Sequence, residues 1–191
     1  MCGVAGVFVY KKSYELVSED ELKKVSRHMK SRGPDDNGCW YSKDHKVGLA
    51  HRRLSIIDLT DKAKQPMTKA DHGLVISFNG EIYNYREIRK GLQNKGYEFS
   101  TNSDTEVILN LYRDKGLEMF SELRGMFAFS LWDGVKKRLL LARDHLGIKP
   151  LYYSDNDSVM RFSSQVKALV AGGGVSLAKS PGGVVGFYLT G

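Results

Sequence analysis

The sequence predicts an α+β fold built on antiparallel sheets. Three observations carry this. Apolar, β-branched runs read as strands near both ends of the chain, two strongly helical segments lie between them, and the strands do not alternate with helices as βαβ units would require. A length of 191 residues suits one domain with a short appendage and is enough to bury a substantial core.

The first element is the segment 2–10, "CGVAGVFVY", in which small and β-branched residues without helical period describe a buried strand. A helix follows in "SEDELKKVSRHMK". Ser18 is a candidate N-cap with Glu21 at the capping-box position, Leu22, Val25 and Met29 share one face, and Gly33-Pro34 stops the helix. Two short strands around a turn are predicted within 39–58. A further strand runs through "LVISF", a tight turn is expected at Asn79-Gly80, and a helix starts near Tyr85. The second strong helix begins at "SDTEVIL", with Val107, Leu109 and Leu111 on an apolar stripe. From Gly125 onward the pattern reads as a β-meander: "FSLWD" and "RLLLARD" around Gly134-Val135, then "PLYYS" and "MRFSS". Residues 171–191 are glycine-rich and read as a linker.

Composition narrows the function classes. The net charge is +7, but Lys and Arg are spread along the chain and mixed with acids, so no basic tract points to nucleic acid. No apolar run approaches the roughly 20 residues that span a bilayer, and the N-terminus lacks the layout of a secretory signal. Cys2 and Cys39 form neither a disulfide framework nor a zinc-type spacing, which makes a reducing, cytoplasmic setting the simplest expectation. "GGVSLAKS" echoes a phosphate loop, but Ala178 stands where the second glycine belongs.

Four features could carry chemistry. Removal of Met1 would leave Cys2 with both a thiol and a free α-amine, whose reference pKa of about 7.7–8.0 suits a general base. Alternatively, Cys2 is a small buried apolar residue. Asn79-Gly80 could offer an amide and a backbone N–H to an oxyanion, or be only a corner. Arg53 could form a bidentate pair with a carboxylate, or sit on a surface strand. Asp104 could hold an ammonium group, or simply help cap a helix. "RGPDD" is, by itself, a helix stop.

Taken together, "MCGVAGVF", "RGPDDNG", "HRRLSIIDL", "QPM", "FNGEIYNY", "SDTEVIL", "LRGMFAFSLWD" and "ARDHLGIKPLYY" resemble the N-terminal glutaminase domain of glutamine-hydrolysing asparagine synthetases, a class II glutamine amidotransferase. The resemblance runs in order from Cys2 to about Leu169. It implies a four-layer αββα sandwich of the N-terminal nucleophile hydrolase type over 1–170, with 171–191 as the stub of a link to a synthetase domain. It implies Cys2 as nucleophile with its own amine as base, and Asn79 and Gly80 as the oxyanion hole. Arg53 would bind the glutamine α-carboxylate, with Leu54 and Ile56 lining the pocket, while Glu81 and Asp104 would hold the α-ammonium. The implied partners are L-glutamine and a synthetase domain or subunit receiving ammonia, with no nucleic acid and no membrane. No cofactor is implied for the glutaminase; ATP and Mg²⁺ would belong to the synthetase domain. Gln165 departs from the family pattern, which usually has Glu there.

Overall fold

The computed structural model describes residues 1–11, 15–58 and 60–190. Two antiparallel sheets form its centre. The first combines strands β1 (Gly3–Val9), β2 (Asp36–Tyr41), β3 (Val47–Arg53), β8 (Tyr152–Asp155) and β9 (Val159–Ser163), in the order β2-β3-β1-β9-β8. The second combines β4 (Met67–Lys69), β5 (Leu74–Ile82), β6 (Gly125–Asp133) and β7 (Arg138–Arg143), in that order.

Side-chain alternation explains the layering. In β1, Val4 and Phe8 point toward the second sheet and join Leu49, Val75, Trp132 and Phe162 in an inter-sheet core. Ala5, Val7 and Val9 point the other way, against Leu22, Val25 and Met29 of helix α1 (Glu19–His28) with its flank and Ala168 of α4 (Val166–Ala171). A strand buried on both faces has no reason to alternate apolar with polar, which is why this one reads as continuously apolar. The outer face of the second sheet is covered by α2 (Tyr85–Asn94) and α3 (Asp104–Lys115), through Ile88, Leu92, Val107, Ile108 and Leu111 packed on Phe78, Ile82 and Phe129. The expected αββα sandwich is therefore present.

Helix α1 starts at its predicted cap: Ser18 Oγ accepts from the Glu21 backbone N–H at 3.3 Å. The reciprocal half of the capping box is not made. The Glu21 carboxylate instead accepts from Arg161 Nε at 2.6 Å, tying α1 to β9. Three other expectations are corrected. Asn79-Gly80 is not a turn; β5 continues through both residues, which pair with Ala128 and Phe127 of β6. The extended partner strand supplies ladder bonds that outweigh the local turn preference. The final strands are not one meander, because β6-β7 and β8-β9 belong to different sheets, and residues 144–151 cross between them. Helix α3 has no stripe: residues 104–112 are buried all round, since they face the sheet, the cleft and α2 together. Within the glycine-rich tail, Pro181–Thr190 forms a helix, α5, with Pro181 at its first position, where a missing N–H costs nothing. Among the described residues no helix is long and apolar enough to cross a membrane.

Phe129 is fully buried, stacked on Phe120 with 6.1 Å between ring centroids and tilted against Phe127 at 5.7 Å. Phe129→Ala should lower unfolding stability by about 3–5 kcal/mol, read from denaturant midpoints at unchanged slope.

Candidate active site

One end of the sandwich opens into a cleft where four elements converge. Cys2 immediately precedes β1, Arg53 ends β3 and leads into the loop of Leu54 and Ile56, and Asn79, Gly80 and Glu81 lie near the end of β5. Asp104 opens α3. All eight residues singled out in the sequence line this one cleft. The antiparallel registers bring them together, since Gly3 pairs with Arg52 at the mouth of the first sheet while β5 lies behind it. His51 helps to bind the two sheets there. Burial pushes its pKa down to about 4, so the ring is neutral and its Nε2–H donates to Phe78 O at 3.0 Å. Ser77 Oγ donates to Ala50 O at 3.1 Å alongside.

Cys2 is held by its neighbours rather than left frayed. Its Sγ accepts from the Leu54 N–H at 3.4 Å and faces Leu54 O at 3.6 Å, while Arg32 Nε donates to the Cys2 carbonyl at 2.9 Å. Burial pushes the Cys2 thiol up, and the Leu54 N–H with the positive N-terminus, Arg53 and Arg32 counter this only in part. The sulfur is therefore mostly protonated near neutrality and needs a base to become a nucleophile. Arg32 belongs to "RGPDD", read from the sequence only as a helix stop. Its neighbour Gly33 lies so close to β3 that a Cβ would sit 2.4 Å from Arg52 C, so the segment crosses the strand backbone directly.

Arg53 is buried, and its guanidinium donates to Thr60 O at 3.2 Å and to Asp58 O. Asp58 in turn accepts from the Asn102 N–H at 2.9 Å and from Thr60 Oγ1 at 2.7 Å, lashing the segment after β3 to the segment before α3. The Thr60 hydroxyl holds the Asp58 carboxyl below its ordinary range. Gln65 bridges β5 and α3, its Oε1 accepting from Phe78 N–H at 2.7 Å and its Nε2 donating to Thr105 Oγ1 at 3.3 Å. The sequence reading assigned no role to Asp58, Gln65 or Lys149, which also line the cleft. The "QPM" motif was the one signal that pointed toward Gln65.

Asn79 is 1% exposed, and its Nδ2 has no hydrogen-bond partner among the described residues. It is a buried donor facing a cleft, a costly arrangement unless something enters to accept. A Cβ on Gly80 would lie 2.3 Å from Met126 O, so glycine is required here by the close approach of β6. Asp104 is 4% exposed and accepts from the Ile82 N–H at 3.1 Å. Burial is the main force raising its pKa, with Glu81 adding to it, and the carboxyl reaches about 6 despite its backbone hydrogen bonds.

A family model described as a glutamine amidotransferase domain matches residues 1–190. The chain belongs to this family. Among curated relatives it is 46% identical over 171 residues to asparagine synthetase [glutamine-hydrolyzing] 1 of Bacillus subtilis (strain 168), covering 89% of this chain and 27% of that protein. It is 44% identical to asparagine synthetase B of Escherichia coli (strain K12), over 89% of this chain and 30% of that protein. It is 37% identical to amidase chry2 of Gibberella zeae, with 91% and 27% covered. The amidotransferase domain thus spans less than a third of the length of these relatives. The solved glutamine phosphoribosylpyrophosphate amidotransferase of B. subtilis superposes with a TM-score of 0.74 at 20% identity, over 90% of this chain and 44% of that one, and shares its fold.

The Asp104 shift makes a stability prediction for this domain. Its folded pKa of about 6 exceeds the roughly 3.9 of an unfolded aspartate, so ionising it opposes folding. That cost is absent below the unfolded value and is complete once the pH has risen through the folded one. Asp104→Asn should therefore be more stable than the native chain at pH 7.5, by on the order of 2 kcal/mol, with the difference vanishing near pH 4. Denaturant melts at the two pH values measure it.

Proposed function

We propose that this chain is the glutaminase part of an asparagine synthetase-type enzyme, releasing ammonia from glutamine for the amidation of aspartate. The observation that carries this reading is the convergence of Cys2, Arg53, Asn79-Gly80 and Asp104 in one cleft of a glutamine amidotransferase domain.

Each group has a matching task. With Met1 removed, the α-amine of Cys2 takes the thiol proton, offsetting the burial that otherwise keeps the sulfur protonated. The sulfur attacks the carboxamide carbon, and the unpartnered Asn79 amide with the Gly80 backbone steadies the oxyanion. The amine returns its proton to the departing nitrogen, the C–N bond breaks, and ammonia leaves a γ-glutamyl thioester. Water then adds, giving its proton to the amine. The C–S bond breaks, the thiol is restored, and glutamate is released. Arg53 holds the α-carboxylate against the loop of Leu54 and Ile56, and Glu81 with ionised Asp104 holds the α-ammonium. In this reading the hydrolysis uses no cofactor, and ATP with Mg²⁺ serves a synthetase region outside these residues. A cytoplasmic setting fits two free cysteines.

Mass spectrometry after glutamine addition should show a γ-glutamyl adduct on Cys2. Cys2→Ala should abolish both adduct and hydrolysis, whereas Cys39→Ala, at an exposed position on β2, should keep both. Equal loss in the two variants would overturn the assignment. Inserting one alanine between Met1 and Cys2 keeps the thiol but displaces the amine, so hydrolysis should fall sharply; unchanged rates would eliminate the amine as base.

Asn79→Ala should lower kcat by roughly 10²–10³ with a smaller change in KM. Because Asp104 must be ionised to hold an ammonium, kcat/KM for glutamine should fall below about pH 6. An acid limb that persists unshifted in Asp104→Asn would assign that limb to another group.

A further inference from the structure

Lys149 lies in "ARDHLGIKPLYY", a stretch whose charged and apolar residues are distributed against expectation. Leu146 and Ile148 are 85% and 52% exposed, while Lys149 is 7% exposed. Two apolar side chains therefore face solvent and the cation between them and the next strand faces inward. Solvation alone would give the opposite arrangement.

The backbone enforces it. The Asp144 carboxylate accepts from the N–H groups of Phe127 at 3.1 Å, Leu146 at 3.2 Å, Ile148 at 2.9 Å and Lys149 at 3.0 Å. Gly147 turns the chain at a φ of 64°, and Arg143 Nη2 donates to its carbonyl at 2.6 Å. One buried carboxylate thus pins the whole loop to β6. The pinned Lys149 side chain lines the cleft together with Gly80, Glu81 and Met126. No ion pair or hydrogen bond of its ammonium is found among the described residues, and the nitrogen itself reaches water in the cleft. An unpaired ammonium lining the cleft offers a charge-assisted contact to a negative group that enters it.

Glutamine brings only one negative group, its α-carboxylate, which the reading above gives to Arg53. Hydrolysis creates a second, because the neutral carboxamide becomes a carboxylate. We propose that Lys149 receives the γ-carboxylate of glutamate, making it a residue that separates product from substrate in this cleft. The assignment rests on the glutaminase reading for the identity of its ligand. It predicts that the cleft binds glutamate in its own right, so that accumulating product occupies the site and slows turnover.

The test uses the full chain carrying Cys2→Ala, so that neither ligand is consumed, and measures L-glutamate and L-glutamine binding by calorimetry. Adding Lys149→Met, which keeps the side chain's length, should weaken glutamate binding ten-fold or more, the worth of one charge-assisted contact. Glutamine binding should change by much less, and Lys149→Arg should restore most of the glutamate affinity. Parallel loss for both ligands, or unchanged glutamate binding, would overturn the proposal. Should Lys149→Met fail to fold, Lys149→Gln carries the same comparison. The glutaminase reading fails separately, if unsubstituted chain forms no γ-glutamyl thioester.

Discussion

The constraint on which the rest depends is the placement of β1 between β3 and β9, at the centre of the first sheet. A chain terminus ordinarily frays because nothing pairs with it. Here both edges of the strand are bonded, the Val4 N–H donates to Ser164 Oγ at 3.0 Å, and Arg32 holds the Cys2 carbonyl. Cys2 therefore inherits the rigidity of a central strand, and the cleft can be assembled around a sulfur whose position is settled by main-chain bonds. Alternation along β1 does the remaining work, sending one set of side chains to α1 and the other to the second sheet.

Burial gives the cleft its chemical character. The same burial raises the Cys2 thiol and the Asp104 carboxyl, and both shifts favour the uncharged forms. Three cationic side chains, Arg32, Arg53 and Lys149, act in or beside the cleft, against the carboxylates of Glu81 and Asp104. Donors left without partners, such as the Asn79 amide, add fixed dipoles that need no rearrangement when a charge develops.

The parts of this arrangement that were legible in the sequence are those set by short-range chemistry. Ser18 caps α1 as its spacing suggests, and the burial of Leu22, Val25 and Met29 follows from helical period. The eight cleft residues were found because their motifs resemble a known family; periodicity and composition alone left Arg53 and Asp104 with ordinary structural readings. What stayed hidden was decided by partners distant in sequence. Asn79-Gly80 has strong turn chemistry, yet β6 opposite it extends the strand. The division of β6-β7 from β8-β9 depends on which sheet offers an open edge. Asp58 and Gln65 are polar residues in loops with no periodic signature, and only their bonds to Asn102, Phe78 and Thr105 reveal them.

The sheet order also carries a consequence for biosynthesis. Val4 and its hydroxyl partner Ser164 are 160 residues apart, so β1 has no second neighbour until almost the whole domain has been translated. At ribosomal speeds of about 5–20 residues per second, that delay lasts on the order of ten seconds or more. During it Cys2 has no finished cleft, and an interrupted chain lacking β9 carries the sulfur without the sheet that positions it. Assembly of the cleft is thereby made conditional on nearly complete synthesis of this domain, by topology alone.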